Sequence, residues 1–519
     1  MILLNATESR ELDRLSQDKY GIASYSLMTR AGEAVAGALV RRWPNALAGD
    51  VLVVAGKGNN GGDGFVAARW LLERASKVRV VMIAEAAGLK GDAACAHAEF
   101  AARGGIVVEV TDEGRIGSAI GAQRPAAVID AIFGTGLNAE VKGLPRRAIE
   151  LVNALGVPVA AVDIASGVNA DTGAVMGAAI RAALTVTFGF AKYGHVSYPG
   201  ADFCGELLIA EIGFAPHAIR EMSPRGLFLE RGDVARLIPR RAQNTHKGTY
   251  GHPLVIAGAR GKSGAAVLTS RGALRIGAGL VTAAIPESVA GIVAAGQTEL
   301  MTEPMPDRDG HFDARATIER LAPLIEAKSA LITGPGIGVS DDTRDLVAWL
   351  VNEGAQATRP LLIDADGLNV LALLGPATLK RAHGPVVLTP HPGEMARLLG
   401  MSNAAVNADR ITAARRLAET SGAYVLLKGA RTLVATSDGA VFVNSSGNPG
   451  MATPGMGDVL SGIIGGLLGQ GMSPTDALKL GVFVHGFAAD LLADRVGSVG
   501  YLAGDLANEL PAALKALRS

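Results

Sequence analysis

Short, uninterrupted apolar runs that each break on a glycine-rich or acidic turn recur along this chain, and few folds accept that pattern. VLVVA at 51 breaks on AGKGNNGGDG, AAVIDAIF at 126 on GTGLNAE, and PVAAVDI at 158 on ASGV, with helical stretches such as FVAARWLLERA at 65 between such runs. Apolar residues at every strand position, rather than at every second one, mean that both faces of a sheet are covered, and intervening helices make that sheet parallel. VRVVMIA at 78, a helix through 92–102, IVVEV at 106 and LTVTFGF at 184 belong to the same series. From 214 to 248 the periodicity fades, and then a second series begins. It runs through PLVIAGA at 253, a helix over 264–277, ALITGPG at 330, PLLIDADG at 360, PVVLTPHPGE at 385 and YVLLKGARTLVA at 424, with three helices from Gly457 onward. The pattern predicts two α/β domains, 1–215 and 241–519, joined by a linker over 216–240.

A chain of 519 residues is indeed too long for one core. Lysine plus arginine and aspartate plus glutamate balance at 49 each, so no global field recruits nucleic acid or an anionic membrane, and small-molecule partners are expected. Cys95 and Cys204 lie far apart and form no CxxC, which argues against a disulfide framework or a zinc site; both are expected to be packed. The charged start MILLNATESRELDRLSQ does not read as a signal peptide, and VLSGIIGGLLGQG is too short and glycine-rich to span a bilayer. A soluble, cytoplasmic homo-oligomer is the expected state.

The turns carry more polar groups than turns need. In the first series Asn59, Asn60 and Asp63 stand among the glycines of a strand-to-helix loop, the place where open α/β sheets bind ligands. Asp130, the loop 134–140, Asp163 and Ser166 sit at two further strand ends. Oxygens from Asn60, Asp130 and Ser166 suit a hard monovalent or alkaline-earth cation; taken singly, Asp130 and Asp163 could instead cap helices. In the second series GARGKS at 258 is not a P-loop, because Ile256 stands where that pattern requires glycine. GPGIG, DADGLN, TPHPGE and KGART each end a strand, and His485 reads as structural. GNPGMATPGMGDVLSG at 447 opens a helix, whose N-terminus favours anions. A carboxylate there, Asp458, would repel phosphate unless it had chemistry to perform.

In this order, the motifs resemble the bifunctional NAD(P)H-hydrate repair enzymes over nearly the whole chain. The resemblance implies an N-terminal Rossmann-like three-layer epimerase domain followed by a ribokinase-like α/β domain that dehydrates the S form of hydrated NADH or NADPH, with ADP as phosphoryl donor and Mg2+ as its counter-ion. It implies that Asn59, Asn60, Gly61, Gly62, Asp63, Gly134, Thr135, Gly136, Leu137, Asn138, Ala139, Glu140 and Asp163 hold the hydrated nucleotide in the epimerase. Asn60, Asp130 and Ser166 would bind potassium. In the dehydratase, Ala265, Gly338, His391 and Asp458 would contact the hydrated nucleotide, and Lys428, Gly429, Ala430, Arg431, Thr432 and Gly457 the adenine nucleotide. Asp458 and Asp163 are the catalytic candidates, as bases for phosphorylation and for inversion.

Three positions depart from the family pattern: Ala165 replaces a proline, Pro454 a glycine and Met456 a threonine. Proline lacks an N–H and fixes φ, which would weaken a phosphate cradle. Two other functions fit the same residues. A ribokinase-like kinase acting on a vitamin precursor would leave a stable phosphorylated product. A non-catalytic first domain would bind nucleotides or proteins without epimerising anything.

Overall fold

The computed structural model describes residues 1–356 and 359–518 and divides into two compact units, Met1–Gly226 and Leu227–Ser519. Residues 216–240, expected as a linker, carry the helix Pro216–Met222, the strand Gly226–Leu229 and the helix Arg231–Ala235, with the unit boundary inside them.

The first unit is built on seven strands: β1 (Asp50–Ala55), β2 (Lys77–Met82), β3 (Ile106–Glu109), β4 (Ala127–Ala131), β5 (Val159–Val162), β6 (Leu184–Phe188) and β7 (Glu206–Ala210). Their order across the sheet is β3-β2-β1-β4-β5-β6-β7, all parallel. Helix α1 (Ala6–Arg14) precedes them, capped by Asn5 and Glu8. Alternate strand residues enter different layers, as the two-residue strand period requires. Val51, Val53 and Ala55 pack under α2 (Ser24–Arg42), α3 (Asn59–Leu72) and α4 (Gly91–Ala102). Leu52 and Val54 pack on the other face with α5 (Glu113–Gly121) and α6 (Gly143–Ala154). The strand order reverses between β1 and β4, and a crevice opens at their carboxyl ends.

The second unit repeats this logic with β8 (Pro253–Ile256), β9 (Thr282–Pro286), β10 (Met301–Met305), β11 (Ala330–Thr333), β12 (Leu361–Ile363), β13 (Val386–Leu388), β14 (Tyr424–Leu427), β15 (Leu433–Ala435) and β16 (Val441–Asn444). The order is β10-β9-β8-β11-β12-β13-β14-β15-β16, parallel as far as β14 and antiparallel thereafter. Helices α7 (Ser263–Arg275), α8 (Asp366–Leu374), α9 (Pro392–Leu399), α10 (Met456–Gly469), α11 (Pro474–Val496) and α12 (Ala503–Arg518) surround it. The last three are the terminal helices that the sequence predicts. Among the described residues no helix is long and apolar enough to cross a membrane.

Helix α10 is apolar nearly all round because it lies inside the helical layer, buried from Val459 to Gly469. Glycines bring its backbone against α7. A Cβ on Gly462 would stand 2.0 Å from the Thr269 carbonyl oxygen, and one on Gly272 2.5 Å from that of Val459. Because the obstacle is backbone, no rotamer change relieves it. Gly462→Ala is therefore expected to lower stability by about 1–3 kcal/mol, the usual range for overpacking, read as a fall in melting temperature. An unchanged melting temperature would show that the two helices separate freely.

Candidate active sites

In the first unit Val54 lies beside Asp130 and Ala55 beside Ala131, so the loops that follow β1 and β4 meet. They line a cleft of about 1170 Å3 together with Asp163. Asn59, Asn60, Asp63 and the loop from Gly134 to Ala139 all face it. Gly61 and Gly62 lie beneath: a Cβ on Gly61 would come within 2.0 Å of the Gly56 carbonyl, and one on Gly62 within 2.7 Å of the Met28 methyl. Glu140 turns to Lys142 at 2.8 Å.

Neither Asp130 nor Asp163 caps a helix. The Asp130 carboxylate accepts hydrogen bonds from the Ser166 backbone N–H (2.8 Å) and hydroxyl (2.6 Å), tying two strand ends together. Burial pushes its pKa up to about 6 in spite of these bonds. The Ser166 hydroxyl accepts from the Phe133 N–H at 2.8 Å, and the buried Asn60 amide nitrogen has no hydrogen-bond partner. Ala165, which replaces a proline, is fully buried, and the Ser166–Asp130 bonds fix the turn that it occupies.

Asp163 follows β5 in a left-handed conformation, φ 63°. Three groups hold it. The Lys192 ammonium lies 2.7 Å from Oδ1 and the Thr187 hydroxyl donates to the same oxygen at 2.9 Å. His195 Nδ1 accepts from the Lys192 N–H at 2.9 Å, so its Nε2 carries the proton and donates to the Asp163 carbonyl at 2.8 Å. Burial opposes ionisation of Asp163, but Lys192 outweighs it and holds the carboxyl below its ordinary value. Burial, then the charge of Lys192, lowers His195 to about 4, keeping it neutral.

The second centre lies at the carboxyl ends of β8 and β11–β14. Gly338 N–H and Lys262 Nζ both approach Asp366 Oδ2 at 2.9 Å. A Cβ on Gly336 would stand 3.1 Å from that of Ala265, placing the first turn of α7 against the GPGIG loop. Lys428 Nζ lies 2.7 Å from Asp364 Oδ1 and 3.9 Å from Glu394 Oε2. Burial disfavours its charge, yet the two carboxyls outweigh this and raise its pKa. The Ser461 hydroxyl donates to Asp364 Oδ2 at 2.6 Å. His391 caps α9, its Nδ1 accepting from the Gly393 N–H at 3.0 Å, and burial with the nearby Lys428 lowers its pKa. Glu394 is raised to about 7 by burial.

Asp458 stands in the first turn of α10. Burial, reinforced by Asp364 and opposed by Lys428, pushes it up to about 6. A Cβ on Gly457 would lie 3.4 Å from Lys428 Nζ, so the helix N-terminus and the lysine face one space. Pro454 is exposed and precedes the N-cap Gly455, so the N–H it lacks is not one of the first-turn donors of α10; Met456 is buried in the core. Beneath the 428–432 loop Arg410 donates to the carbonyls of Ala430 (2.5 Å), Lys428 (3.2 Å) and Leu427 (3.3 Å). His485 is buried in α11, with Nε2 unpartnered. Cys204 is buried, but Cys95 is exposed because its helix turns that side to solvent, against the expectation that both are packed.

The motifs do not reveal Thr187, Lys192 and His195, nor Arg410. DADGLN contains Asp364 and Asp366 without indicating their partners.

The first unit thus has a Rossmann-like fold with a cleft at its strand ends, and the second a ribokinase-like α/β fold in which the N-terminus of α10 meets the strand-end loops. The family described as NAD(P)H-hydrate dehydratase matches residues 253–512, and that described as YjeF-related protein N-terminus matches 24–194. The chain is 41% identical over 519 residues to the bifunctional NAD(P)H-hydrate repair enzyme Nnr of Moorella thermoacetica, covering 100% of this chain and 97% of that one. It is 37% identical over 508 residues to the Escherichia coli protein of the same name, covering 97% and 92%. The second unit resembles the crystal structure of the Bacillus subtilis ADP/ATP-dependent NAD(P)H-hydrate dehydratase co-crystallised with ATP and Mg2+, with 31% identity and a TM-score of 0.50 over 56% of this chain and 98% of that one. The chain belongs to the family of bifunctional NAD(P)H-hydrate repair enzymes.

The raised pKa of Asp458 has a cost in stability. The folded chain retains the Asp458 proton up to about pH 6, whereas the unfolded chain releases it near the ordinary 3.8. The stability is therefore fully present below the unfolded value and is lost as pH rises through the folded one. Asp458→Asn does not titrate, so its melting temperature should exceed that of the unsubstituted chain at neutral pH, with the gap closing in acid. A lower melting temperature at neutral pH would contradict the electrostatic account.

Proposed function

We infer that the first unit interconverts the R and S forms of hydrated NADH and NADPH and that the second dehydrates the S form, with ADP as phosphoryl donor. The observation that carries the reading is Asp458, a half-buried carboxylate in the first turn of a helix whose N-terminus faces Lys428. The substrate hydroxyl is a poor leaving group, and phosphorylating it makes expulsion easy. Asp458 takes the hydroxyl proton as that oxygen attacks the terminal phosphoryl group, while the α10 N-terminus and Lys428 offset the charge on the phosphoryl oxygens. The ring nitrogen's electrons then expel phosphate, leaving the reduced nucleotide, AMP and phosphate. Ala265, Gly338 and His391 would position the hydrated ring, and the loop from Lys428 to Thr432, with Gly457, the adenine nucleotide. Among the described residues no cluster of three or more His, Cys, Asp or Glu side chains could hold a metal. Magnesium would enter with the nucleotide as its counter-ion and supply charge to offset the phosphoryl oxygens.

In the first unit the cleft residues Asn59, Asn60, Asp63, Gly134 to Ala139 and Asp163 would hold the hydrated nucleotide, with Asp163 as base. An all-oxygen set from Asp130, Ser166 and Asn60 suits potassium, whose charge would steady the crowded acids of the cleft. Rotated by half a turn, the Asn60 amide would present its oxygen where its nitrogen now has no partner. Potassium-dependent epimerisation should fall when that ion is replaced by tetramethylammonium at constant ionic strength. An unchanged rate would remove the cation from the reading.

A mixture of both epimers supplied with ADP and magnesium should return fully to NADH, followed by absorbance. Recovery limited to the S fraction would leave the first unit inactive, and a stable phosphorylated vitamin precursor would favour the kinase function. Asp458→Asn should slow dehydration by about 10²- to 10⁴-fold, the typical loss for a positioned base, while R and S forms still interconvert. Retention of most of the dehydratase rate would reduce Asp458 to a helix-start carboxylate.

A further inference from the structure

The cleft of the first unit holds a carboxyl to which no motif drew attention. Asp13 lies near the end of α1 and lines the same cleft as Asp63, Asp163 and Lys192. The other acids of α1 are engaged, Glu8 with the Asn5 N–H at 2.8 Å and Glu11 with Arg14 at 2.7 Å. Among the described residues no hydrogen bond or ion pair reaches Asp13. Its carboxyl keeps contact with solvent on the open side of the cleft, so a ligand entering there meets it directly.

We propose that Asp13 is the second acid–base group of the epimerase centre, exchanging a proton with the ring nitrogen of the substrate while Asp163 exchanges one with its hydroxyl. The proposal rests on reading this unit as the epimerase.

The chemistry needs two such groups. The carbon to be inverted carries both the hydroxyl and the ring nitrogen. The Asp163 carboxylate takes the hydroxyl proton, the oxygen's electrons form a carbonyl, and the carbon–nitrogen bond breaks with its pair passing to nitrogen. Nitrogen takes the proton of the Asp13 carboxylic acid, giving an open-chain aldehyde. After the aldehyde turns about its carbon–carbon bond, nitrogen attacks the opposite face. Its proton returns to Asp13 and that on Asp163 returns to oxygen. Nothing is oxidised or reduced, and both carboxyls recover their starting states.

The surroundings of the two groups support opposite states. Lys192 clamps Asp163 as a carboxylate at 2.7 Å. The cleft walls crowd the Asp13 carboxyl on its inner side, though it still meets solvent, and push its pKa up to about 6, an effect that Lys192 moderates and the negative Asp163 reinforces. Asp63, raised by burial and by both neighbours, and Arg10, on the same helix as Asp13, also border this space. Two carboxyls in one cleft whose environments push them apart are how one site supplies an acid and a base together.

The test uses the full chain with R-hydrate as substrate and chromatographic separation of the epimers. Asp13→Asn should lower the epimerase kcat by about 10²- to 10⁴-fold with KM little changed. The decline in rate as pH rises through about 6 in the unsubstituted chain should vanish in the variant. Asp13→Glu should restore part of the rate, and the dehydratase rate on S-hydrate should be unaltered, confirming a folded protein. A variant kcat near that of the unsubstituted chain, or a rise in KM alone, would overturn the assignment while leaving the epimerase intact. No epimerisation by the unsubstituted chain would overturn the epimerase reading and this assignment with it.

Discussion

Helices covering both faces of a parallel sheet leave only its strand ends open, and the polar groups of both candidate sites gather at the carboxyl ends. The strand centres are largely apolar, with Val51 to Ala55 and Val128 to Ile129 fully buried. A side chain that must meet a water-borne ligand therefore stands on the first residues after a strand. Asp163 follows β5 directly, Asp364 follows β12, and Lys428 follows β14.

Crowding acids at such a margin creates an electrostatic problem, and the two units meet it in the same way. In each, a lysine ammonium lies 2.7 Å from one aspartate, Lys192 from Asp163 and Lys428 from Asp364. The remaining acids, left to burial and mutual repulsion, retain protons toward neutral pH: Asp63 and Asp13 in one, Asp458 and Glu394 in the other. The price is stability, since a carboxyl that folding makes harder to ionise opposes folding at neutral pH.

Much of this was legible in the sequence because strands and their turns are local. The apolar runs located the sheets, and helix α10 begins within a residue of the expected place. Asp130 and Ser166 were singled out as strand-end oxygens and do meet. What escaped detection depends on distance along the chain: Lys192 is 29 residues from Asp163, Lys428 is 64 from Asp364, and Ser461 is 97 from it. A buried arginine such as Arg410, supporting a loop through backbone carbonyls, has no local pattern at all. Pro454 stands inside the glycine-rich motif one residue before the helix cap, so the donor it lacks lies outside the first turn of α10, a placement the motif alone does not give.

The α7–α10 seam bears on how such a protein can change over evolutionary time. Backbone meets backbone there, so hard-core repulsion, rather than the shapes of the surrounding leucines and isoleucines, fixes how far α10 stands from its neighbour. Neighbouring core residues can then drift in size while the helix that presents Asp458 keeps its place. The few glycines at the crossing are the positions with the least freedom to vary.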